Sequence, residues 1–191
     1  MDGFLLALIF TGHMTDAPDR GKARFPLDME SAARAEIAAE VELAKQKSAG
    51  SLVGIASLAR GGDILFLEVL KEKQVPIRVV LPFAPETFLE TSVRGAPGDW
   101  ERRFWALWES LAPGEHEILD LPVSDEAFAA CNRRLLELAK GIGREVGLLA
   151  LWDGKDFQPK PGGTAHFIES VRALDGRVSV IDTNMLIPNR K

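Results

Sequence analysis

The chain has 191 residues, 46% hydrophobic and 27% charged, which is enough for one α/β domain with its own core and short for two. A net charge of −5 argues against a general nucleic-acid binder, which would carry a basic face. A single cysteine, Cys131, excludes an internal disulfide and a multi-cysteine metal site, and fits a reducing compartment.

Phe4 to Phe10 is an apolar run that ends in Thr11-Gly12-His13-Met14. It lacks the basic flank and small-residue cleavage site of an export signal, and it is too short to span a bilayer. It therefore reads as a buried first strand of a chain expected to be soluble and cytoplasmic. The loop from Thr15 to Pro26 is long for a strand-to-helix connection, and long loops are often functional. Its cations Arg20, Lys22 and Arg24 either meet an anionic ligand near a glycine turn or are simply solvated. Asp28 is placed to cap a first helix running to about Ser48, with Ala33, Ile37, Val41 and Ala44 as its buried stripe.

Leu52 to Ala56 suits a strand covered on both faces. Arg60-Gly61-Gly62-Asp63 then turns the chain, with glycines that permit positive φ and close approach, and Asp63 as the helix cap. The helix that follows is apolar nearly all round, through Ile64, Leu65, Phe66, Leu67, Val69 and Leu70, so it must pack hard against a sheet. Glu68 in its middle reads as the partner of a surface cation. Pro76 to Leu81 is a third strand, stopped by Pro82. Pro85 and Glu86 open a short helix, and from Asp99 a helix carries Trp100, Phe104, Leu107, Trp108 and Leu111 on one face. Such an aromatic stripe is core, a contact for a homodimer, or a wall on which a base stacks. His116 to Leu121 is a candidate short strand, and Asp125 to Gly141 an amphipathic helix that contains Cys131 as a packing residue. Gly147 to Trp152 is a strand ending at Asp153-Gly154. Pro161-Gly162-Gly163-Thr164 leads into another helix, and Arg177 to Asp182 is the last strand.

This alternation predicts an α/β fold, a three-layer, doubly wound sheet of about five parallel strands in the order 3-2-1-4-5 with helices on both faces. In such a sheet the strand C-termini share one edge, and ligands bind where the strand order reverses. Three glycine-bearing turns fall there: Thr11-Gly12-His13, Arg60-Gly61-Gly62-Asp63 and Gly162-Gly163-Thr164. Their amides, together with the hydroxyls of Thr11, Ser57 and Thr164, are the expected cradle for a phosphate-bearing ligand. Neither G-x-G-x-x-G nor G-x-x-x-x-G-K-[ST] is present.

Leu58-Ala59-Arg60-Gly61-Gly62-Asp63 resembles the S-G-x-A-R-G-x-D turn of the Smf DNA-processing proteins, with Ser57 where a glycine is usual. Pro161-Gly162-Gly163-Thr164 resembles the P-G-G-x-G-T loop of the LOG phosphoribohydrolases. Ala150-Leu151-Trp152-Asp153-Gly154 with Gly163-Thr164-Ala165 is similar to nucleoside 2-deoxyribosyltransferases. These likenesses to the SLOG superfamily imply a Rossmann-like domain that binds a nucleotide or nucleotide-derived ligand. Because SLOG domains often signal to effectors, they also allow coupling to an effector protein or domain.

Both enzyme families imply a catalytic Glu three residues after the loop threonine, where this chain has Phe167. Glu169 lies five residues after Thr164, about 200° around a helix from position three, and so faces the other way. Asp63, Asp153, His13 and His166 are the remaining candidates for acid, base or nucleophile. Asp153 could equally bind a ribose hydroxyl or only water, and the two histidines could act on a ligand or merely line its site. With no H-x-x-x-H pair, a zinc hydrolase is not expected. The two readings are a nucleotide-ligand sensor and an N-glycosidase or transferase; single-stranded DNA binding is disfavoured by the acidity.

Overall fold

A computed structural model describes residues 4–155 and 163–186. The chain forms six parallel strands: β1 (Phe4–Gly12), β2 (Leu52–Ala56), β3 (Ile77–Leu81), β4 (His116–Ile118), β5 (Gly143–Trp152) and β6 (Arg177–Asp182). They lie in the order β4-β3-β2-β1-β5-β6. This is the expected order with one edge strand added, where Val79 to Leu81 pairs with His116 to Ile118. The helices are α1 (Glu30–Lys47), α2 (Gly62–Glu72), α3 (Pro85–Phe88), α4 (Trp100–Trp108), α5 (Asp125–Ile142) and α6 (Thr164–Arg172).

Strand side chains alternate between two cores, as a period of two requires. Leu8, Phe10, Leu52, Ala56 and Leu149 pack with α1, α2 and α4, whereas Ala7, Ile9, Val53, Ile55 and Leu148 pack with α5 and α6. Helices thus cover both faces of a Rossmann-like sheet. Helix α2 is buried nearly all round because β1, β2 and β3 lie beneath it and α1 and α4 beside it. Its Phe66 stacks on Phe10 of β1 with ring centroids 4.9 Å apart. Each such buried apolar side chain contributes about 1.5–3 kcal/mol.

Expectations change at the start of α1 and the end of β1, and the choice among readings of the aromatic stripe closes on the first. Helix α1 starts at Glu30 after a 3-10 turn over Leu27–Met29, so Met29, not Asp28, is its cap residue. Strand β1 continues through Thr11 and Gly12 because both pair with β5, at Ala150 and Leu151. The aromatic stripe of α4 belongs to the chain's own core, with Trp100, Phe104 and Leu107 at most 5% exposed. Arg103 on the same helix sits 4.3 Å from the centre of the Trp100 ring and bonds Glu68 at 2.6 and 2.8 Å, the cation expected for that carboxylate. Among the described residues no helix is long and apolar enough to cross a membrane.

Candidate functional site

Because β1 lies between β2 and β5, the ends of these three strands meet at one edge, and the sheet changes its direction of growth between β1 and β5. There a cavity of about 380 Å³ opens. Its floor is Thr11 and Gly12 from β1, Ser57, Ala59 and Asp63 from the turn into α2, and Gly163 and Thr164 at the start of α6. All three predicted turns therefore contribute to one space.

Most of the remaining lining comes from elements that carry no glycine turn or charged motif in the sequence. Helix α3 runs directly into a π-helical turn over Leu89–Val93, which supplies Thr91 and Ser92 next to Phe88. Helix α5 adds Phe128, Cys131, Asn132 and Leu135, and Phe10 and Met14 complete the described lining. The apolar members looked like ordinary core residues. Only the polar residues Asn132, Thr91 and Ser92 amid apolar neighbours offered a local signal.

Two amides and the guanidinium of the second turn are committed away from the cavity. Gly61 has φ of +85°, and a Cβ there would lie 2.6 Å from the Thr15 nitrogen. A Cβ on Gly62 would come within 2.8 Å of the Phe10 ring. The amide of Gly62 donates to the His13 carbonyl at 3.3 Å, and that of Arg60 to Ser92 at 3.0 Å. The Arg60 guanidinium donates to the carbonyls of Thr15 at 2.9 Å and Arg94 at 2.7 Å. The glycines thus serve close packing, and Arg60, Gly61 and Gly62 do not line the cavity.

The long loop before α1 is likewise closed on itself. Asp16 accepts from the amides of Arg24 at 2.7 Å and Phe25 at 2.8 Å, and Phe25 is fully buried. Arg20, Lys22 and Arg24 do not line the cavity.

Asp63 is not the helix cap that its position suggests; Gly61 is the cap residue. The Asp63 carboxylate instead reaches back to accept from the Ala59 amide at 3.1 Å. The residue is 9% exposed and lines the cavity. Burial pushes its carboxyl up to about 7, with the Ala59 hydrogen bond pulling the other way. At neutral pH it exists in both protonation states, able to donate as well as accept. Cys131, 3% exposed, donates to the Val80 carbonyl at 3.4 Å. Burial pushes this thiol up to about 12, with the Asp63 charge adding and a Ser57 hydrogen bond opposing, so it is no nucleophile at pH 7.

His13 and Asp153 form a buried pair outside the cavity lining. The Asp153 amide donates to His13 Nε2 at 3.2 Å, and that nitrogen lies 3.1 Å from Asp153 Oδ1. Burial lowers the His13 pKa, the Arg24 charge lowers it further, and the Asp153 carboxylate opposes both without prevailing. The amide contact uses a lone pair on Nε2 and the carboxylate contact uses a proton there, so the two belong to different protonation states of the ring. Asp153 Oδ1 also accepts from the Lys155 amide at 3.1 Å, fixing the turn after β5. Burial would raise the Asp153 pKa, but this bond and His13 hold it below the usual value.

On α6, His166 is exposed and does not line the cavity. Phe167 is 1% exposed and packs in the α5–α6 core, while Glu169 faces solvent as its helical position requires. Gly162 lies outside the described residues. Among the described residues no group of three or more His, Cys, Asp or Glu side chains could hold a metal ion. No family model, curated protein or solved structure matches this chain.

Proposed function

We propose that the cavity at the C-terminal edge of the sheet binds a nucleotide-derived small molecule and that the domain acts as a sensor of it. The observation that carries this reading is the shared lining from the ends of β1 and β2 and the start of α6, at the switch point where open α/β sheets take ligands. The volume of about 380 Å³ lies within the roughly 300–1,000 Å³ of small-molecule clefts. Phe88 and Phe128 supply aromatic surface for a base, and Thr11, Thr91, Ser92 and Thr164 supply hydroxyls. Mass spectrometry of small molecules that co-purify with the protein, followed by calorimetry with those found, tests it. A protein that carries none, and that gives no heat with nucleosides, nucleoside monophosphates or NAD, refutes it.

N-glycoside cleavage is the second reading, favoured by a single residue: Asp63 is a carboxyl inside the cavity that titrates near neutrality. Release of free base from nucleosides, nucleoside monophosphates or NAD, abolished by Asp63→Asn, would replace the sensor reading with this one.

A further inference from the structure

The described residues that line the cavity include no Lys, Arg or His. Their one ionisable group apart from the Cys131 thiol is Asp63, more than nine-tenths buried, with Oδ2 held by the Ala59 amide. No described residue bonds its Oδ1, which is open to solvent rather than sealed in the core. The turn that would form an anion nest has its Arg60 and Gly62 amides committed to Ser92 and His13. Among the described lining residues a phosphate would meet a carboxyl and no cation, in a space where burial strengthens repulsion. A sugar hydroxyl would instead find in Asp63 an acceptor, or a donor when the carboxyl is protonated. Ser57 and Thr11 stand beside it for neighbouring hydroxyls, with Phe88 and Phe128 on the apolar wall.

Resting on the reading above, we propose that the cavity takes the uncharged part of a nucleoside, with its sugar hydroxyls bonded to Asp63 Oδ1, and excludes a 5′-phosphate. The specificity would then come from a bond between the sugar hydroxyl and a carboxyl oxygen otherwise open to solvent, which a ligand lacking the hydroxyl cannot make.

The test is calorimetry at pH 7 with adenosine, guanosine, cytidine and uridine, each against its 5′-monophosphate. The expected result is at least one nucleoside binding tenfold or more tighter than its monophosphate, with Asp63→Ala weakening it at least tenfold. Asp63→Asn, which keeps an acceptor for the Ala59 amide, serves as the second variant if Asp63→Ala does not fold, and should weaken the same nucleoside at least threefold. Equal or tighter binding of the monophosphate overturns the inference and leaves the nucleotide-ligand reading standing. So does nucleoside affinity unchanged in a folded Asp63 variant. Binding of neither class overturns the inference, and the nucleotide-ligand reading then falls too unless NAD or a co-purifying molecule binds.

Discussion

The backbone amide of Asp153 donates to His13 Nε2 at 3.2 Å across 140 residues of sequence, tying the end of β1 to the end of β5 behind the cavity. The bond needs the neutral imidazole, and burial has already lowered the His13 pKa below 6.5. A group with a depressed folded pKa contributes stability that is complete above its unfolded pKa and is lost as pH falls through the folded one. His13→Ala should therefore cost roughly 1–3 kcal/mol at pH 7.5, leaving a buried amide unpaired. The cost should be smaller at pH 5.5, where the wild type has begun to lose the contribution. Urea unfolding at the two pH values checks this; an equal cost at both would mean that the imidazole is not titrating against burial.

Two glycines at the same sheet edge should behave in opposite ways. Gly61 has φ of +85°, and its missing Cβ is the space for the Thr15 backbone nitrogen. Gly61→Ala should destabilise by roughly 1–3 kcal/mol. Gly163 has φ of −73°, which any residue adopts, and it lines the cavity. Gly163→Val should leave the thermal midpoint within a few degrees while weakening nucleoside binding severalfold. Loss of folding at Gly163 together with tolerance at Gly61 would reverse the assignment of the two turns.

Arg60 separates a phosphate-binding turn from a structural one. Its guanidinium joins the loop before α1, at the Thr15 carbonyl, to the turn after α3, at the Arg94 carbonyl. Arg60→Ala should lower stability by about 1–3 kcal/mol through these lost charged hydrogen bonds. Ligand affinity, measured well below the unfolding transition, should stay within twofold. A tenfold or greater loss would return Arg60 to the site.

The sheet and its switch point could be read from the sequence because apolar runs, proline stops and glycine turns are local signals. Strand β4 was marginal: it is three residues long on the sheet edge, with two of them exposed, so burial leaves little imprint on it. The donors of Arg60-Gly61-Gly62-Asp63 looked open to an anion because their partners come from elsewhere. Ser92 lies 32 residues downstream of Arg60, and His13 and Thr15 belong to the first loop. No local pattern encodes such pairings. The roof from Leu89–Val93 and α5 was hidden for the same reason, since Phe128 and Leu135 are core-like in sequence and become cavity wall only after α5 crosses the sheet edge.

Asp63 carries the last prediction, because it opposes His13 in the same pH range. Its carboxyl is raised from 3.8 to about 7 by burial. A raised folded pKa means that stability is complete below the unfolded pKa and declines as pH rises through the folded value. Ionising this group in place costs on the order of 4 kcal/mol at pH values above 7, by the free-energy equivalent of the change in pKa. Asp63→Asn retains an acceptor for the Ala59 amide and removes the charge. The variant should gain stability relative to wild type, by little at pH 4.5 and by the full amount near pH 8. Urea titrations at pH 4.5, 6 and 8 give the difference directly. A gain independent of pH would show that Asp63 stays ionised throughout, and a loss at pH 8 would show that its charge is compensated inside the fold.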